Sequence, residues 1–155
     1  MNEDLRNLYQ EVIVDHSRRP RNFGPLPGAS HHAEGYNPLC GDRLTLHLKL
    51  ADGIIEAATF EGNGCAISTA SASLMTEALI GKTEAQAEDL FTGFHALVTG
   101  AADSPGPAAL GKLQALAGVQ EFPTRVKCAT LAWHTLHAAL HAALHDQVAP
   151  ISTEE

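Results

Sequence analysis

The sequence predicts a mixed fold in which several helices surround one antiparallel β-hairpin, and three observations carry that expectation. Leu5, Leu8, Tyr9, Val12 and Ile13 recur at helical spacing near the N-terminus. Residues 43–50 alternate strictly, with Leu44, Leu46, Leu48 and Leu50 on one face and Arg43, Thr45, His47 and Lys49 on the other. Asp52-Gly53 then offers a favoured two-residue hairpin turn, with residues 54–61 as the returning strand.

At 155 residues, 45% apolar and 18% charged, the chain is long and apolar enough for one core and is not a disordered sequence. A single domain over residues 1–148 is expected, followed by a flexible tail at 149–155. The net charge of −8 and pI near 5.5 speak against nucleic acid or an anionic membrane as a partner. No apolar run approaches the ~20 residues of a membrane span. The N-terminus is acidic and has no signal-peptide pattern, so a cytoplasmic location is expected.

The first helix covers residues 3–17 and ends before Pro20, which cannot continue it. Arg18, Arg19 and Arg21 follow, read either as a solvated helix end or as a docking patch. A loop with a short edge strand at 30–34 precedes the hairpin. After it, residues 65–79 form a helix with Ile67, Ala70, Leu74 and Ala78 as the buried stripe and Gly81 beyond its end. Thr83-Glu84-Ala85-Gln86 fits a capping box opening a third helix, whose apolar face is Ala87, Leu90, Phe91, Phe94, Leu97 and Val98. Residues 99–107 are rich in turn formers. A short helix at 108–117 ended by Gly118 follows, then a last helix capped by Thr124 and running to His145, with Leu136, Leu140 and Leu144 as its ridge and Trp133 beside it.

Chemistry enters with three cysteines, an odd number in a chain expected to be cytosolic, which argues against a disulfide framework. Cys40 and Asp42 flank Gly41. A two-residue turn sets Cys40 opposite Cys65 and Asp42 opposite Asn63, with Lys49 facing Glu56. A three-residue turn sets Cys40 opposite Gly64 and Arg43 opposite Glu61. Gly62 and Gly64 invite a bulge. In either register Cys40, Asp42 and Cys65 gather at the open end of the hairpin. Cys65 and Cys128 are both expected at or just before the first turn of a helix, which favours the thiolate; Arg125 and Lys127 beside Cys128 push the same way. Three thiolates and a carboxylate suit zinc, with the carboxylate the most easily displaced, although iron or an Fe–S cluster can use the same ligands.

Nine histidines are present. His134, His137, His141 and His145 share one side of the last helix and are read as a polar face, since Asp146 alone offers a nearby carboxylate. His16 and His31-His32 are weaker candidates, while His47 and His95 are expected on solvent-facing surfaces.

The motifs Leu8-Tyr9, Pro20-Arg21-Asn22-Phe23-Gly24, Asn37-Pro38-Leu39-Cys40-Gly41-Asp42, Gly62-Asn63-Gly64-Cys65-Ala66-Ile67-Ser68 and Lys127-Cys128-Ala129 resemble the U-type iron–sulfur cluster assembly family, from the first helix to the last. Among its branches the chain looks most like the SufU type. Lys127 stands where IscU-type scaffolds have a histidine, Phe122-Pro123-Thr124-Arg125-Val126-Lys127 replaces their Leu-Pro-Pro-Val-Lys chaperone motif, and the segment at 99–118 is typical of SufU-like chains. The resemblance implies an α+β fold of the SufE/NifU kind, a small antiparallel sheet of about three strands covered by helices. It implies zinc held by Cys40, Asp42, Cys65 and Cys128, and sulfur accepted from a PLP-dependent, SufS-type cysteine desulfurase for the downstream Fe–S machinery. By that analogy Cys40 is the acceptor, Asp42 the labile ligand and Arg125 a neighbouring or docking residue. A scaffold that assembles and passes on a cluster, and a module with purely structural zinc, are the alternatives.

Overall fold

The computed structural model describes residues 3–38, 41–99, 110–141 and 151–152. Cys40, the segment at 100–109, and Leu144, His145 and Asp146 lie outside the described residues, as do the side chains of Leu5 and Leu8. In order come α1 (Glu3–Arg18), β1 (His31–Asn37), β2 (Asp42–Ala51), β3 (Ile54–Asn63), α2 (Ala66–Leu79), α3 (Glu84–Thr99), a 3-10 helix (Gly111–Glu121), α4 (Pro123–Leu140) and the two-residue β4 (Ile151–Ser152). The sheet order is β3-β2-β1-β4. The three long strands are antiparallel, and β4 pairs parallel to β1 at Gly35 and Tyr36, inside the segment expected to be a flexible tail. The fold is α+β. No described helix is long and apolar enough to cross a membrane.

The alternation of β2 works as the sequence predicts. Leu44, Leu46 and Leu48 are buried, while Arg43 and Lys49 are exposed on the other face. Asp52 and Gly53 both take positive φ, 54° and 78°, the two-residue turn that Asp-Gly favours. The register then departs from both expectations. Ala51 faces Ile54 and Leu50 faces Ile55, but a bulge makes Lys49 face Ala57 and carries Arg43 to Asn63. Glu56 is the extra residue, so the bulge sits near the turn and not at Gly62 or Gly64. It lets Ile55, Ala58 and Phe60 all reach the core despite their odd spacing. Lys49 Nζ still lies 4.0 Å from Glu56 Oε2.

The helices cover the leucine face. α4 lies across β1 and β2, α2 lies against β3, and α1 packs on α2 and the 3-10 helix. α2 is buried on almost every side, which its small residues permit: Ser68, Ala70, Ser71, Ala72 and Ser73 let neighbouring helices approach closely. Two of the buried serines bind groups on other elements. Ser71 Oγ donates to Ala129 O at 2.6 Å and accepts from Trp133 Nε1 at 3.2 Å; Ser73 Oγ accepts from Arg21 N at 2.8 Å and bonds His16 Nδ1 at 2.7 Å. Trp133 stacks on Phe94 with centroids 4.6 Å apart, joining α4 to α3. The capping box is present in both directions, Thr83 N to Gln86 Oε1 and Gln86 N to Thr83 Oγ1.

Three boundaries differ from the sequence reading. β1 runs to Asn37, so it is a full partner of β2. The helix expected at 108–117 is a 3-10 helix from Gly111 to Glu121 that passes through Gly118. α4 starts at Pro123 with Phe122 as its cap, not Thr124, because proline is preorganised for the first helical position.

Candidate metal centre

β2 begins with Asp42, and the strand alternation that buries Leu44 sends the Asp42 side chain to the same inner face. The carboxylate is fully buried. Its Oδ1 accepts from Cys65 N at 2.8 Å, and its Oδ2 lies 3.9 Å from Cys65 Sγ. Cys65 is the N-cap of α2, with extended backbone (φ −71°, ψ 170°), and its sulfur accepts from Ser68 N at 3.4 Å. The residue before it must be small. A Cβ on Gly64 would stand 3.0 Å from Asp42 Oδ1 and 3.1 Å from Ser68 Oγ.

Cys128 reaches the same point from α4. It is the sixth residue of the helix counted from Pro123, in the second turn, and not in the first as the sequence reading had it. The field of a helix terminus fades within one turn, so α4 contributes position more than charge here. The Cys128 sulfur is 3.6 Å from Thr124 O and 3.7 Å from Asn37 Nδ2. Asn37 was not among the residues singled out from sequence. It is fully buried at the end of β1, and its amide also points to Asp42 Oδ2 at 3.5 Å, so it touches both sides of the cluster. The one available signal was its place at the head of the Asn37-Pro38-Leu39-Cys40-Gly41-Asp42 motif.

The ligand atoms of Asp42, Cys65 and Cys128 all lie within 4.8 Å of one another. Tetrahedral zinc, with Zn–S near 2.3 Å and Zn–O near 2.0–2.2 Å, sets sulfur–oxygen separations of about 3.5 Å. The observed 3.9 Å between Cys65 Sγ and Asp42 Oδ2 is close to that. No lysine or arginine pairs with Asp42 among the described residues, so the buried carboxylate sits where a cation would compensate it. The donor set therefore fits a thiophilic divalent ion. Gly41, with φ of 72° and nothing within 4 Å of a would-be Cβ, turns the chain immediately before Asp42. Cys40, one residue earlier, is outside the described residues.

The other candidates fall elsewhere. Arg125 is exposed in the first turn of α4, and Lys127 is half-buried. Arg21 is tied to Asp15, Nη2 to Oδ2 at 2.6 Å, and this contact holds the Asp15 carboxyl below its ordinary range. Arg18 and Arg19 remain exposed. His16 is buried against Ser73, and that burial, with Arg21 nearby, lowers its pKa from the ordinary 6.5. His31 bonds Ser30, and His47 lies 2.9 Å from Glu61 Oε1. On α4, His137 and His141 do have a carboxylate beside them, Glu88 from α3, which the linear sequence conceals.

A family model described as the NifU-like N terminal domain matches residues 8–146. The chain is 43% identical over 143 residues to the iron–sulfur cluster assembly scaffold protein IscU of Streptococcus pyogenes serotype M1, covering 92% of this chain and 89% of that one. It is 45% identical over 135 residues to the zinc-dependent sulfurtransferase SufU of Bacillus subtilis strain 168, covering 87% and 90% respectively. A solved structure from Fervidobacterium islandicum AW-1, a candidate iron–sulfur cluster assembly scaffold for the SUF system, superposes with a TM-score of 0.80 at 34% identity, over 90% of this chain and 99% of that one.

Proposed function

We propose, for a chain that belongs to the NifU-like N-terminal domain family of iron–sulfur cluster assembly proteins, that it accepts persulfide sulfur from a PLP-dependent cysteine desulfurase at a zinc-holding site. The observation that carries this reading is the convergence of Asp42, Cys65 and Cys128, from three separate elements, on one buried point. A carboxylate among thiols is the unusual part. A purely structural site is better served by four sulfur or nitrogen donors, whereas a carboxylate is a harder and more exchangeable ligand. The same ligand set bears on the alternative of a module whose zinc is only structural.

Asp42, Cys65, Cys128 and Cys40 would hold the ion, and zinc when bound keeps thiols deprotonated at neutral pH. Asn37 and the Cys65 N–H contact the two carboxylate oxygens and would orient Asp42 toward a bound ion. Cys40, next to Gly41 in the sequence, is the acceptor thiol in this reading. Its thiolate attacks the outer sulfur of the donor persulfide. The Cys40–sulfur bond forms, the sulfur–sulfur bond of the donor breaks, and the desulfurase cysteine leaves as a thiolate, with no net oxidation. Arg125, exposed in the first turn of the helix that carries Cys128, is in this reading a docking residue for the desulfurase. The partner class is a SufS-type desulfurase in the cytoplasm, with the downstream Fe–S machinery as recipient.

The test is desulfurase turnover measured with and without this chain. Stimulation is expected with the native chain and absent with Cys40→Ala; equal stimulation by both contradicts the reading. The scaffold reading draws support from the name of the Streptococcus pyogenes relative. It requires that anaerobic reconstitution with iron and sulfide give a visible-absorbing cluster that moves to an apo-acceptor.

A further inference from the structure

Away from the cysteines, the outer side of the α3–α4 pair gathers an unusual set of groups. His137 and His141 lie four residues apart on one face of α4's last turn and its cap, the spacing by which two imidazoles on a helix share an ion. Glu88, from the first half of α3, lies between them. His137 Nδ1 is 3.2 Å from Glu88 Oε2, and His141 Nε2 is 3.3 Å from Glu88 Oε1. The three ligand atoms lie within 4.8 Å of one another.

Hydrogen bonding accounts for only one half of the arrangement, the contact of His137 Nδ1 with Glu88 Oε2 at 3.2 Å. Glu88 Oε1 is shielded from solvent, yet it has no hydrogen-bond partner, because the nearby His141 nitrogen is not aligned to donate to it. Buried carboxylate oxygens are seldom left so, and an unassigned ion is one of the ordinary explanations. The two imidazole rings stand 4.4 Å apart, close enough for one nitrogen of each to reach a shared ion. Phe91 lies against both neighbouring rings, tilted to His137 with centroids 5.7 Å apart and edge-on to His134 at 5.4 Å. Beside them, burial and then His95 and His137 lower the pKa of His134 from the ordinary 6.5.

We propose that Glu88, His137 and His141 form a second metal site, taking zinc or another first-row divalent ion that accepts imidazole and carboxylate. Two nitrogens and one carboxylate leave at least one coordination position for water or an outside ligand. His137 and His141 are more than half exposed, with side-chain accessibilities of 51% and 63%, so the ion exchanges with solvent. The site ties α3 to the end of α4 and shares no residue with the cysteine cluster.

The test uses the full chain and cobalt(II) or zinc alone, with bound metal counted by equilibrium dialysis. His137→Gln/His141→Gln is expected to bind one equivalent fewer than the native chain. Glu88→Gln should loosen that equivalent by about tenfold or more, the scale on which lost contacts around a metal are felt. In cobalt titrations the lost equivalent should be the one that adds no thiolate-to-metal charge-transfer absorbance, whereas Asp42→Ala and Cys65→Ala should alter only the equivalent that does. Equal metal counts for the native chain and the double-histidine variant overturn the proposal. So does a second equivalent that carries thiolate absorbance. Failure of the cysteine site would instead show as loss of the charge-transfer band, with the histidine-dependent equivalent intact.

Discussion

Ser71 sets how closely the helix of Cys65 approaches the helix of Cys128, and replacing it with alanine isolates that role. Its hydroxyl donates to Ala129 O at 2.6 Å and accepts from the Trp133 indole N–H at 3.2 Å, with all three groups buried. Ser71→Ala changes volume by one oxygen. Ala129 O keeps its place in the helical ladder, but the Trp133 N–H loses its acceptor in a dry core. An unsatisfied buried donor costs about 1–3 kcal/mol, so destabilisation of about 2 kcal/mol is expected. At this chain length 1 kcal/mol moves the midpoint by roughly 2–4 °C, giving a drop of about 4–8 °C. Chelated protein unfolded in urea and followed by circular dichroism reads the first number, and a thermal scan reads the second. A cycle with Trp133→Phe should return a coupling of about 1 kcal/mol. A loss below about 0.5 kcal/mol for Ser71→Ala, with no coupling, would refute the claim that this bond fixes the α2–α4 spacing.

Gly62 sits at φ +149°, and a Cβ there would lie 2.1 Å from Arg43 O, so Gly62→Ala must displace the open end of the hairpin. It should cost about 3 kcal/mol or more by denaturant unfolding and weaken metal binding in parallel. Asp42→Ala removes a proposed ligand and leaves Cys65 N without its acceptor; competition with a chromophoric chelator should show zinc bound at least about tenfold more weakly. Zinc removal should lower the unfolding midpoint, by an amount that grows with zinc concentration as mass action requires. The pH dependence has a definite sign. His16 has a lowered pKa in the fold, so the unfolded chain binds more protons below 6.5 and stability falls as pH drops through that value. His134 adds to the same slope. His16→Gln should flatten the decline measured between neutral pH and pH 5, and an unchanged slope would count against its burial as the cause.

Where structure follows local rules, the sequence was readable. The β2 leucines, the Asp52-Gly53 turn and the Thr83–Gln86 box all depend on neighbours a few residues apart. The bulge at Glu56 was missed although it left a mark: Ile54-Ile55 and Ala57-Ala58 break the two-residue period, and an extra residue between them restores it. The start of α4 was misplaced because Thr124 looked like a cap, when Pro123 at the first helical position was the stronger signal. That error moved Cys128 by two positions along the helix without removing it from the cluster, since α4 lies across β1 and β2 in either case. Asn37 and Glu88 illustrate the other limit. Their partners are 91 and 49 residues away, to Cys128 and His137, and no local pattern announces such contacts.

Sulfur mapping by mass spectrometry addresses the proposed function most directly. The chain is incubated with a cysteine desulfurase and cysteine, alkylated, digested and scanned for peptides one sulfur atom heavier. The extra sulfur is expected on the Cys40 peptide, lost with Cys40→Ala and retained with Glu88→Gln. Sulfur found on Cys65 or Cys128 instead, or on no cysteine while the desulfurase turns over, would contradict a sulfur-accepting site built on Cys40, Asp42, Cys65 and Cys128.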